Sequence, residues 1–91
     1  MLVIVRSSPD TSEGKRGLKM ARELAADIVF LQNGVYFALN DMMEGFCGTA
    51  YSLEEDIQLR GLTGQMRGIR VVGWDELIDL MADEDKVIGT F

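Results

Sequence analysis

The sequence predicts an α/β fold, a three-layer α/β/α sandwich around a mostly parallel five-stranded sheet. Three observations carry that expectation. Short apolar runs alternate with stretches of helical periodicity along the whole chain. The runs are rich in Val and Ile and show no in–out alternation, the mark of strands buried on both faces. Connections are short and there is a single proline in 91 residues. The length allows one domain, residues 1–91. A hydrophobic fraction of 47% supplies a core, although a chain of this size hides only about 60–65% of its unfolded surface.

Met1 to Arg6 reads as the first strand, broken by Ser7-Ser8-Pro9. Asp10 then serves as an N-cap with Glu13 three residues on, a variant of the capping box. The helix that follows places Leu18, Ala21, Leu24 and Ala25 on one side, and Lys15, Lys19 and Arg22 on a solvent-facing side. Asp27 to Leu31 is the second strand, closed by a tight turn at Gln32-Asn33-Gly34. Val35, Ala38, Leu39 and Met42 fit the spacing of an amphipathic α-helix. Gly45 and Gly48 bracket a loop that holds Cys47. Thr49-Ala50-Tyr51 is a short third strand. Ser52-Leu53-Glu54-Glu55 reads as a capping box, with Gly61 placed to terminate its helix. Ile69 to Val72 is the fourth strand, and Trp74, Leu77, Ile78 and Met81 mark the apolar face of the last helix. Val87 and Ile88 form a final strand.

Composition excludes several kinds of function. There are no histidines and one cysteine, so a disulfide framework and the usual zinc or haem ligand sets are absent, and no cofactor or metal is expected. A formal net charge of −6 argues against a dedicated nucleic-acid surface. The four-residue apolar run at the start is too short for a signal peptide or a membrane span, which makes the cytoplasm the expected compartment. Charge is uneven: Arg6, Lys15, Arg16, Lys19 and Arg22 fall early, while Asp75, Glu76, Asp79, Asp83, Glu84 and Asp85 fall late. Solvated helix faces explain this, and complementary docking surfaces for neighbouring subunits are the sharper alternative.

Few residues can carry chemistry. Cys47 is the one sulfur nucleophile, but Glu44 is its nearest charge in sequence and no helix starts at it, which favours an inert loop cysteine over a persulfide carrier. Glu54, Glu55 and Asp56 lie in a first helical turn, where the helix dipole accounts for them. Arg60-Gly61-Leu62-Thr63-Gly64 follows a helix, the reverse of a phosphate-binding loop. Gly34 at a strand-to-helix turn fits either an anion contact or a plain tight turn. Tyr36, Phe37, Met42, Met43 and Phe46 suit either core packing or a subunit interface. In parallel sheets ligands and partners gather at the carboxyl ends of the strands. The loops at Ser7-Ser8, Gln32-Asn33-Gly34 and Ser52-Leu53 are therefore expected to form the functional rim.

Four stretches in order resemble the TusB/DsrH family: Met1 to Pro9, a strand followed by a Ser-Pro loop; Phe30 to Val35, close to the family's LLQDGV with Asn33 in place of Asp; Ala50 to Leu62, with its Arg60-Gly61 pair; and Val71-Val72 followed by Trp74 to Leu80. The resemblance implies the DsrE/DsrF/DsrH-like fold. It also implies a place beside DsrE/TusD-like and DsrF/TusC-like subunits, in a homo- or hetero-oligomer that passes sulfur between cysteines as persulfide. The sulfur would go toward tRNA wobble 2-thiouridine or into sulfur oxidation. In DsrE/TusD-like relatives the carrier cysteine stands where this chain has Leu53. Some DsrH proteins carry one in the first helix, whereas Glu13 to Ala26 contains none. The resemblance therefore implies an accessory subunit whose contact rim is Gln32, Asn33, Gly34, Ser52, Leu53 and Arg60. A sulfurtransferase using Cys47, and a stand-alone homo-oligomeric module binding a small anion or a protein, are the alternatives.

Overall fold

A computed structural model describes residues 1–39, 42–66 and 68–91. The elements follow in the order β1 (Leu2–Val5), α1 (Ser12–Glu23), β2 (Asp27–Phe30), a 3₁₀ segment (Gln32–Ala38), β3 (Ala50–Leu53), α2 (Glu54–Leu59), β4 (Arg70–Val72), α3 (Trp74–Asp83) and β5 (Val87–Ile88). The five strands form one sheet in the order β4-β3-β2-β1-β5, and every neighbouring pair is parallel.

This order dictates where the helices go. From β1 to β4 each new strand is added in the same direction, so right-handed crossovers put α1, the 3₁₀ segment and α2 on one face. The step from β4 to β5 runs the other way, past β1, and carries α3 to the opposite face. Two apolar clusters result. Val3, Val5, Ile28, Phe30 and Ala50 meet Ala21, Val35, Phe37, Ile57 and Leu62 on the first face. Leu2, Ile4, Val29, Tyr51, Leu53 and Val72 meet Leu77 of α3 on the second. All four residues of β1, β2's last three and all of β3 are buried, as continuous apolar runs demand.

Local details depart from the sequence reading in four places. Thr11, not Asp10, is the N-cap of α1: its Oγ1 accepts from the Gly14 amide at 3.0 Å. Asp10 instead accepts a short hydrogen bond from the Ser8 hydroxyl. The expected amphipathic α-helix after β2 is a 3₁₀ segment ending before Leu39. Gly34, Val35, Phe37 and Ala38 are all buried there; a threefold winding sets 34 above 37 and 35 above 38. Phe37 stacks on Phe30 with ring centroids 5.4 Å apart. Ser52 is no capping residue; it belongs to β3, fully buried beside Phe30 in the register, and Leu53 occupies the N-cap position without a side-chain cap bond. The helical stripe of α3 is real in spacing, but only Leu77 of Trp74, Leu77, Ile78 and Met81 is buried.

Candidate functional site

The strand-end rim is built by one charge-assisted knot. Gln32 leaves β2 with φ +49°, a left-handed conformation rare outside glycine. Its amide donates to Asp56 Oδ2 at 2.7 Å, which holds the turn against the first part of α2. Arg60, one turn on from Asp56, sends Nε and Nη2 to Asn33 Oδ1 at 3.1 and 2.9 Å and Nη1 to the Asp56 carbonyl at 3.1 Å. The Asp56 and Arg60 side chains are 13% and 19% exposed and lie 3.6 Å apart as an i,i+4 ion pair. Gly34 closes the turn at the end of β1. A Cβ there would overlap the Val5 carbonyl oxygen. Its amide donates to Leu31 O at 2.8 Å and Arg6 O at 3.2 Å, so it is not presented to an anion.

The structure thus brings Gln32, Asn33, Gly34 and Arg60 together, and separates Ser52 and Leu53 from them. Both are at 0% exposure. Ser52 sits in the sheet, its Oγ without a hydrogen-bond partner among the described residues. Leu53 packs under α3 in the second cluster, because the side chain alternates to that face of β3. Asp56 is the member of the knot that the rim expectation left out. Its i,i+4 spacing to Arg60 was visible in the sequence, whereas its long-range reach to Gln32 was not. Trp74 adds a second link across the rim, donating from Nε1 to Glu55 Oε2 at 2.6 Å.

Cys47 lies at the other end of the sheet. It is exposed in the loop that precedes β3, beside the start of that strand and the end of α1. It lines a cleft of about 170 Å³ with Ala21, Arg22, Ala25, Phe46 and Gly48. Arg22 also lies over the Phe46 ring, 5.8 Å from its centroid, and donates to the carbonyls of Met42 and Glu44. No group of three or more His, Cys, Asp or Glu side chains suited to a metal occurs among the described residues.

The sequence matches the family described as DsrH like protein over residues 7–87, nearly the whole chain. The chain belongs to the DsrH-like family. Membership connects this DsrH-like protein with sulfur relay in general and with action alongside protein partners. Among solved structures it is similar to the YchN protein from E. coli, with a TM-score of 0.80 at 17% identity over 96% of each chain. That likeness speaks to the fold. It is also similar to Tm0979 from Thermotoga maritima, with a TM-score of 0.66 at 28% identity over 98% of this chain and 100% of that one. No curated protein matches the sequence.

The DsrH-like rim holds a bidentate arginine, a carboxylate and an amide, all bonded to one another, and no nucleophile. Such an arrangement fixes a surface.

Proposed function

We propose that this DsrH-like chain is an accessory subunit of a sulfur-relay complex, shaping a contact surface while DsrE/TusD-like and DsrF/TusC-like neighbours supply the reactive cysteine. The observation that carries this reading is the burial of Leu53 under α3, at the position that the resemblance assigns to the relatives' carrier site. The sole cysteine lies at the opposite end of the sheet. The braced rim of Gln32, Asn33, Gly34, Asp56 and Arg60 supports it further, since a rigid polar edge suits docking. The final acceptor is then either tRNA wobble uridine or the sulfur-oxidation machinery, reached through the partners. The net charge of −6 supports indirect over direct contact with RNA. No helix among the described residues is long and apolar enough to cross a membrane.

A native pull-down read by mass spectrometry tests the proposal. Recovery of DsrE- and DsrF-like proteins is the expected result, and recovery of this chain alone would overturn it. A second reading, sulfur transfer by Cys47 itself, is favoured by the thiol's exposure beside a cleft. Cys47→Ser separates the two. Accessory function predicts unchanged persulfide transfer through the reconstituted complex and stability within about 0.5 kcal/mol of wild type. Loss of transfer would make Cys47 the carrier.

A further inference from the structure

β4 is an edge of the sheet, and its outer side is unpaired. Its ladder runs to β3 alone, and among the described residues no other backbone hydrogen bond reaches Arg70, Val71 or Val72. An open edge is a template for another strand, and the clefts beside it select the side chains that strand brings. Arg70 and Val72 lie in register beside Tyr51 and Leu53 on the α3 face, whereas Val71 lies beside Ser52 on the other. On the α3 face, Arg70 and Val72 line a cleft of about 180 Å³ with Glu76, Asp79 and Asp83. Three carboxylates there meet one arginine, and Arg70 forms no ion pair among the described residues. On the other face Val71 is 43% exposed and lines a cleft of about 190 Å³ with Ile57 and Met66. A strand that suits this edge carries a cation toward the first face and an apolar side chain, one residue on, toward the second. β4 is itself such a strand.

We propose that two copies of this chain pair through β4, antiparallel about a two-fold axis at Val71, so that their sheets become one. The side chains set the register. A two-fold axis between antiparallel strands stands perpendicular to the sheet and keeps each face continuous, and opposed residues point to the same side. The axis therefore falls at Arg70, Val71 or Val72. At Arg70 it would set two arginines directly opposite, which is destabilising. At Val72 it would set Val71 against Gly73, a residue with no side chain to pack. At Val71 it sets the two valines against each other, with Cβ atoms about 4.5–5.5 Å apart. Arg70 of each copy then lies beside Val72 of the other, at the cleft where three carboxylates outnumber one arginine, and symmetry makes that contact twice. The ladder is three residues long, which makes the dimer a dissociable one. The pairing goes beyond the accessory reading and does not depend on it.

Sedimentation of the purified full chain over a concentration series tests the pairing. A monomer–dimer equilibrium is expected, and a monomer throughout would overturn the proposal. Val71→Lys sets two lysines directly opposite in the dimer, at a position open enough to hold one in the monomer. It is expected to weaken dimerisation about tenfold or more. Ile78→Lys adds the same charge on the exposed side of α3, 60% exposed, and is expected to leave the dimer unchanged. A dimer retained by Val71→Lys would overturn the pairing. Loss with Ile78→Lys would place the contact on α3 and overturn it equally. Hydrogen exchange of the wild-type chain gives a readout that no folding defect of a variant can imitate. The β4 amides are expected to exchange more slowly in concentrated than in dilute protein, and exchange independent of concentration would overturn the proposal. Any of these failures leaves the accessory reading standing, because the pull-down detects other proteins and not a second copy.

Discussion

At the scale of single residues, Gln32 carries the clearest conflict between backbone and side chain. A left-handed backbone costs a non-glycine residue about 1–2 kcal/mol, and Gln32 adopts it so that its amide can reach Asp56. Gln32→Gly keeps that amide and removes the Cβ. The relief exceeds the added chain entropy of glycine, about 0.5–1 kcal/mol, so a net gain of about 0.5 kcal/mol is expected, a rise of roughly 2–4 °C in Tm. Calorimetry that showed a fall would mean that the exposed side chain contributes. Asp10 gives a second case. The Ser8 hydroxyl, more than the backbone amide or Lys15, holds its carboxyl below the usual carboxylate range. The folded pKa is the lower one, so its contribution is complete above the unfolded value and disappears as pH falls through the folded value. Ser8→Ala should raise the Asp10 pKa toward normal in an NMR titration, and an unchanged pKa would exclude the hydroxyl as the cause. The sequence showed that a cap existed here, but chose Asp10 over Thr11, because both residue types cap and only the backbone decides which one turns the corner.

Among the elements, the 3₁₀ segment shows what periodicity can and cannot tell. Val35, Ala38, Leu39 and Met42 have the spacing of an amphipathic α-helix, but the structure forms a 3₁₀ segment that stops at Ala38. The tighter winding follows from Gly34, whose missing Cβ lets the segment start against the Val5 carbonyl and carry Phe37 onto Phe30. That approach is long-range in sequence, and no local pattern announces it. Gly34→Ala should cost about 1–3 kcal/mol in urea unfolding, the size of an overpacked contact, and loosen the Gln32–Arg60 brace with it. A variant as stable as wild type would show that β1 yields. The capping box at Ser52 failed for a related reason. Its S-x-x-E spacing is genuine, yet strand pairing with Phe30 draws Ser52 into the sheet and passes the corner to Leu53. Strand and helix order, the Gly61 stop and the spacing of α3 were all legible. Which stripe residues of α3 reach the sheet was not, because spacing gives a direction and not a neighbour.

For the whole molecule, the decisive feature is that β1 is an interior strand whose second neighbour, β5, comes from the far end of the sequence. Leu2 pairs with Val87 and Val3 with Ile88. The strand's exit is then bound by Phe91, whose amide donates to Ile4 O and whose carbonyl accepts from Arg6 and Ser7. Removing residues 87–91 should lower the urea midpoint and speed amide exchange in β1. Unchanged exchange at Leu2 would show that this pairing adds nothing. The same arrangement governs how the protein is made. A ribosome delivers β1 first, and β2 can join it within a few dozen residues. The other side of β1 stays bare until residues 87–91 have left the exit tunnel. Until then the nascent chain displays an apolar strand with open amides and carbonyls, the kind of surface that holding chaperones shield and that neighbouring nascent chains invade.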